Sequence, residues 1–69
     1  MTARDPLYWD DMYAIALLLR RAYPHVDPLQ VSDAELRQWV VQLDGFADDT
    51  SGGVPELLDG IRAEWVELK

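Results

Sequence analysis

Carboxylates are the residues in this chain whose type and spacing point most directly to chemistry. Asp44, Asp48 and Asp49 lie close together, at the expected end of a helix and in the loop behind it. Oxygen ligands of this kind suit hard cations, among them magnesium, calcium and iron. The spacing is not that of a calcium-binding helix–loop–helix, and no histidine joins the group. A cation held by Asp44, Asp48 and Asp49 is therefore expected to be weakly bound, exchangeable and half hydrated. The competing reading is a solvated acidic loop, since charge runs usually face water.

Catalysis has little to draw on. A nucleophilic constellation needs a Ser or Cys, a base and a group that orients the base. His25 is the one histidine, there is no cysteine, and no glycine-rich phosphate loop is present. His25 reads as a turn residue between Pro24 and Pro28, and the chain as a non-enzyme. Arg20 and Arg21 form a small basic spot beside Leu17. On a helical wheel Leu17 lies opposite Ile15 and is expected to be exposed.

These side chains must be positioned by three helical segments. The first is expected over residues 11–23, with Asp10 as N-cap and Asp11 favourable to the positive end of the helix dipole. Met12, Ile15, Ala16, Leu19, Ala22 and Tyr23 form its apolar stripe. Pro24 stops it, because the residue before a proline is pushed out of helical geometry. A stiff link containing Pro24 and Pro28 follows, with Val31 beginning a short extended piece. Ser32 and Glu35 read as a capping box opening the second helix. Its buried face is Leu36, Trp39, Val40 and Leu43. Gly45 is placed to end it in a left-handed conformation, and Phe46 to fold back onto the core. A polar loop over 47–53 leads to a third helix with Pro55 in its first turn and Leu58, Ile61, Trp65 and Leu68 on its apolar face. Gly60 inside that helix implies close approach by a neighbouring backbone or a Trp ring. Trp9, Trp39 and Trp65 are all assigned to the core, Trp9 as a staple onto the first helix. The expected fold class is therefore all-α: one compact three-helix domain over 1–69, with its core over 9–68, in a helix-turn-helix or winged-helix-like arrangement.

Composition narrows the function. Of 69 residues 49% are hydrophobic, which supports a packed core without disulfides. Thirteen Asp and Glu face six Lys and Arg, a net charge of −7. Such a surface repels nucleic acid and anionic membranes, and attracts basic protein surfaces or cations. The apolar run from Ala14 to Leu19 is too short to span a bilayer. The stretch from Met1 to Pro6 lacks the apolar segment of a leader, so cytoplasmic residence is expected, and the chain is expected to be a monomer.

Several segments, taken in order, resemble a known family. Trp9-x-Asp11 opens the first helix; Ala22-Tyr23-Pro24 and Asp27-Pro28 follow, then Val31. Gln38-Trp39, Leu43-x-x-Phe46, Asp48-Asp49 and Leu58-x-x-Ile61-x-x-x-Trp65 complete the series. This order resembles IscX, a small protein encoded with the bacterial iron–sulfur cluster assembly machinery, from Trp9 to Trp65 without insertion. The resemblance implies a compact helical fold related to winged helices. It also implies binding to the cysteine desulfurase IscS in competition with bacterial frataxin, weak iron binding through surface acids, and no enzymatic activity. The chain departs from the family pattern in its loop, where Gly45 and Ala47 stand in place of acids. It departs again at Asp33, where an aromatic is usual, at Arg20 and Arg21, and at Val54-Pro55.

Carried onto this sequence, the resemblance places partner binding on Asp44, Asp48 and Asp49, with Asp27 and Glu35 as further candidates, and weak iron binding on Asp44, Asp48 and Asp49. Two other functions stay open at this point. One is an iron carrier or sensor using the same carboxylates. The other is a winged-helix nucleic-acid binder, disfavoured by the charge and by a second helix whose one arginine is Arg37.

Overall fold

The computed structural model describes residues 6–68. The outer limits of the 1–69 domain, and the segment from Met1 to Asp5 read above for a leader, lie outside those residues. Three α-helices form: α1 Met12–Ala22, α2 Asp33–Val41 and α3 Pro55–Leu68, with a 3₁₀ turn Pro28–Gln30 between α1 and α2. The fold is all-α, as expected. Among the described residues the one extended pairing is a single parallel bridge between Leu7 and Phe46, and no wing-like hairpin forms. No helix among them is long and apolar enough to cross a membrane.

α1 is rich in Ala, Leu and Arg, which are among the strongest helix formers, and buries Ile15, Ala16 and Leu19. It packs chiefly on α3, which buries Leu58, Ile61 and Trp65. α2 closes the core with Leu36 and Val40. The stripe on α1 is narrower than its spacing predicts: Ala22 is exposed, while Leu17, expected to face water, is half-buried. Trp39 is also only half-buried; it stacks on Tyr23 with centroids 4.1 Å apart and planes at 14°. The core extends beyond Trp9 toward the N-terminus, because Leu7 is buried as well. The Trp65 indole is fully buried and its N–H finds no acceptor among the described residues, which costs roughly 1–3 kcal/mol.

The helix ends show which local signals survive folding. Asp11, not Asp10, is the N-cap of α1, and its carboxylate does not cap the helix. It turns back instead to accept from the Tyr8 N–H at 2.9 Å, while the Asp11 N–H donates to the Tyr8 carbonyl at 2.9 Å. This reciprocal turn holds Trp9 inward and Asp10 outward. Pro24 ends α1 as expected. The Ser32–Glu35 capping box forms in full. α2, however, stops at Val41, four residues before Gly45. The positive φ of Gly45 (92°) serves a separate turn in which the Phe46 N–H meets the Leu43 carbonyl. In α3 the notch left by Gly60 is filled by the Met12 thioether, not by backbone or a Trp ring.

Three arginines join these elements. Arg62 on α3 reaches the carbonyls of Pro28 and Val31 and the Asp33 carboxylate. Arg37 on α2 donates twice to the Gly53 carbonyl, at 3.2 and 2.8 Å. Arg20 donates to the Leu68 carbonyl at 2.9 Å, satisfying an unpaired group at the end of α3.

Candidate docking surface

The acidic segment between α2 and α3 is built around a buried tryptophan. Trp9 is 2% exposed, and its ring meets Phe46 edge-on with centroids 5.2 Å apart. Its indole N–H donates to the Asp49 carbonyl at 2.7 Å, and its backbone N–H donates to the Asp48 carboxylate at 3.0 Å. The same ring packs closely against Gly52 and Gly53. A Cβ on Gly53 would stand 2.7 Å from the ring, and one on Gly52 would stand 2.9 Å from it. Both glycines are therefore required by close approach. Leu7 adds backbone bonds on the other side, to the Gly45 carbonyl and from the Ala47 N–H, each 2.9 Å. The loop is thus fastened to the N-terminal segment at both ends.

Within this frame the expected site residues take different roles. Asp44 is exposed in the Leu43–Phe46 turn. Asp48 is half-buried, and besides Trp9 it accepts from the Asp49 N–H at 2.7 Å. Asp49 is exposed; its Oδ1 accepts from the Ser51 N–H at 2.9 Å and the Ser51 hydroxyl at 2.8 Å. Those two bonds, the backbone one foremost, hold the Asp49 carboxyl below its ordinary pKa. Asp49 therefore keeps its charge to lower pH than an isolated aspartate. Asp27 and Glu35 belong to other elements: Asp27 caps the 3₁₀ turn through the Leu29 N–H at 3.0 Å, and Glu35 completes the capping box of α2. His25 is exposed in the link, as expected.

Replacing Ser51 with Ala removes the hydroxyl bond and keeps the backbone one. The Asp49 pKa is expected to rise part of the way toward the usual carboxylate range. The sign follows from linkage: a depressed folded pKa adds stability above the unfolded pKa and loses it as pH falls through the folded value. An NMR titration of the Asp49 carboxyl checks this; an unchanged midpoint in Ser51→Ala would remove the hydroxyl from the account.

The metal expectation meets a geometric limit. Among the described residues no three His, Cys, Asp or Glu side chains converge as a metal would need. Asp48 and Asp49 also already accept from protein donors. The arrangement does not fit a closed, ligand-rich metal site. It fits an exposed anionic surface held in a fixed shape.

Trp9 as the anchor of this loop, and the two glycines as its seat, are what spacing alone does not reveal. A tryptophan just before a helix and a Gly-Gly pair far along the chain were the available signals.

Comparison with known proteins agrees with the family resemblance of the sequence. A family model described as iron–sulphur cluster assembly matches residues 7–69. The chain is also 41% identical over 61 residues to an uncharacterised protein of Pseudomonas aeruginosa, covering 88% of this chain and 92% of that one. The matched span begins at Leu7, the residue whose bridge to Phe46 starts the fold. By the family match, which spans nearly the whole chain, the chain belongs to the iron–sulphur cluster assembly family of IscX-like proteins.

Proposed function

We propose that this chain is a small non-enzymatic adaptor that regulates iron–sulfur cluster assembly by docking its acidic surface on a cysteine desulfurase, in competition with a frataxin-like protein. The observation that carries this reading is the loop after α2. Its acids lie on a backbone fastened to Trp9, so a partner meets a preorganised anionic surface and little ordering entropy is lost on binding. The net charge of −7 supports the same reading through steering toward a basic partner.

Asp48 is a poor probe of docking, because reversing its charge would also release Trp9. Asp44 and Asp49 are better, being exposed. Calorimetric titration of a cysteine desulfurase with the Asp44→Lys, Asp49→Lys double variant is expected to show affinity lower by about tenfold or more. The wild-type interaction is expected to weaken as salt rises, and the far-UV signal of the variant to stay that of the wild type. Unaltered affinity would remove this surface from the proposal.

Weak iron binding by Asp44, Asp48 and Asp49 is a separate and lesser proposal. With no convergent set of three ligands among the described residues, a bound ion would keep most of its water. Titration with ferrous and with ferric iron, followed at the Asp side-chain resonances, tests it; the absence of saturable shifts would end it.

A further inference from the structure

Beside the acidic loop lies a shallow groove of about 480 Å³, bounded by Tyr8, Trp9, Asp10, Asp48, Gly52 and Leu57. It is created by the Tyr8–Asp11 turn standing against the loop. Half-buried Leu57 supplies apolar surface above the buried Trp9, and Tyr8 (44% exposed) offers an open aromatic ring. Both charged residues on the rim are carboxylates; among the described residues no Lys or Arg lines the groove. Asp48 accepts two backbone N–H groups, but a carboxylate has about four lone-pair sites, so half its capacity remains. Asp10 is exposed, and its carboxylate meets no donor among the described residues.

The chemistry of these walls selects the occupant. Anions are repelled by the two carboxylates. An apolar side chain would leave both of them unanswered. A long cationic side chain satisfies these walls: its methylene stem covers Leu57, and its head group meets Asp10 and Asp48 beside the Tyr8 ring. Arginine fits better than lysine, because a planar guanidinium stacks on an aromatic ring while donating to two carboxylates. We infer that this groove seats one arginine side chain from the basic surface of the partner protein. The inference rests on the docking reading and names an anchor point within it, on residues other than Asp44 and Asp49.

Two arms test it and keep the two readings apart. In the first, Asp10→Asn and Tyr8→Ala are titrated against the cysteine desulfurase; each is expected to weaken binding roughly fivefold with the helical signal unchanged. In the second, the wild-type chain is titrated at low salt with a short neutral-backbone peptide carrying one arginine, and with the same peptide carrying citrulline. The arginine peptide is expected to give saturable amide shifts confined to Tyr8, Asp10, Gly52 and Leu57, and the citrulline peptide none. If the wild type binds the desulfurase and both variants stay within about twofold of it, the groove is overturned while docking stands. If the wild type does not bind the desulfurase, docking falls and the peptide arm decides alone. Confined, arginine-dependent shifts then support the groove; diffuse shifts, equal shifts from citrulline, or none overturn it.

Discussion

Trp9→Ala is expected to remove about 3–5 kcal/mol of folding stability, the usual range for truncating a buried tryptophan. For a chain of 69 residues, with about 3–10 kcal/mol available at the usual stability per residue, that is between a third and all of it. The loss has three parts: the buried ring, the indole bond to the Asp49 carbonyl, and the support that Gly52 and Gly53 take from the ring packed against them. Urea unfolding followed by far-UV circular dichroism measures the sum. Trp9→Phe separates the parts, because it keeps most of the packing and drops the indole donor; about 1 kcal/mol is expected from that bond. The same variant should weaken desulfurase binding with no charge altered, since the Asp49 carbonyl loses its tie. Gly53→Ala should destabilise through the same contact, its Cβ falling 2.7 Å from the ring. Combined with Trp9→Leu, which vacates that space, it should cost less than the sum of the single changes. Additive costs would mean that ring and glycine do not support one another. A Trp9→Ala loss under about 1 kcal/mol would show that the loop stands without the tryptophan.

How much of this was legible in the sequence depends on how local each interaction is. The Ser32–Glu35 box joins residues three apart, so spacing reveals it, and the structure contains both bonds. The apolar face of α3 and the stop at Pro24 are equally local, and both are found. Asp10 and Asp11 show the limit of that reasoning. Either aspartate suits an N-cap by type, and the choice is made by the Tyr8 N–H, which recruits the Asp11 carboxylate into a turn outside the helix. Gly60 announced a close approach, but which side chain fills the notch depends on how α1 crosses α3, and that places Met12 there. The acidic loop is the least legible part. Its residues stand out as charged, yet the Asp48 carboxylate is bound to the Trp9 backbone, 39 positions away in sequence. Composition can mark such a segment as acidic. It cannot say which acids face a partner and which hold the fold.

Arg62 carries the second large effect, and its test turns on carbonyls more than on charge pairing. Its side chain is 17% exposed, and its guanidinium divides itself among the Pro28 carbonyl at 3.1 Å, the Val31 carbonyl at 2.7 Å and the Asp33 carboxylate at 3.0 Å. Asp59 stands further off at 3.8 Å. One side chain of α3 thereby fixes the 3₁₀ turn and the start of α2. Arg62→Met keeps the aliphatic stem but leaves both carbonyls without their charged donor, and about 2–3 kcal/mol of stability is expected to go. Arg62→Lys should recover only part of it, because an ammonium lacks the planar fork that reaches three acceptors at once. Asp33→Ala, by contrast, removes an acid whose side chain is 52% exposed, and such surface pairs are worth about 0–1 kcal/mol. Urea midpoints for the three variants should therefore fall in the order Asp33→Ala highest, Arg62→Lys between, Arg62→Met lowest. If Asp33→Ala costs as much as Arg62→Met, the ion pair holds the link to α3 and the carbonyl clamp does not. The expected order instead makes the proline-rich link a segment held by its backbone, with Asp27 kept at its place in the 3₁₀ turn by an arginine two helices further along the chain.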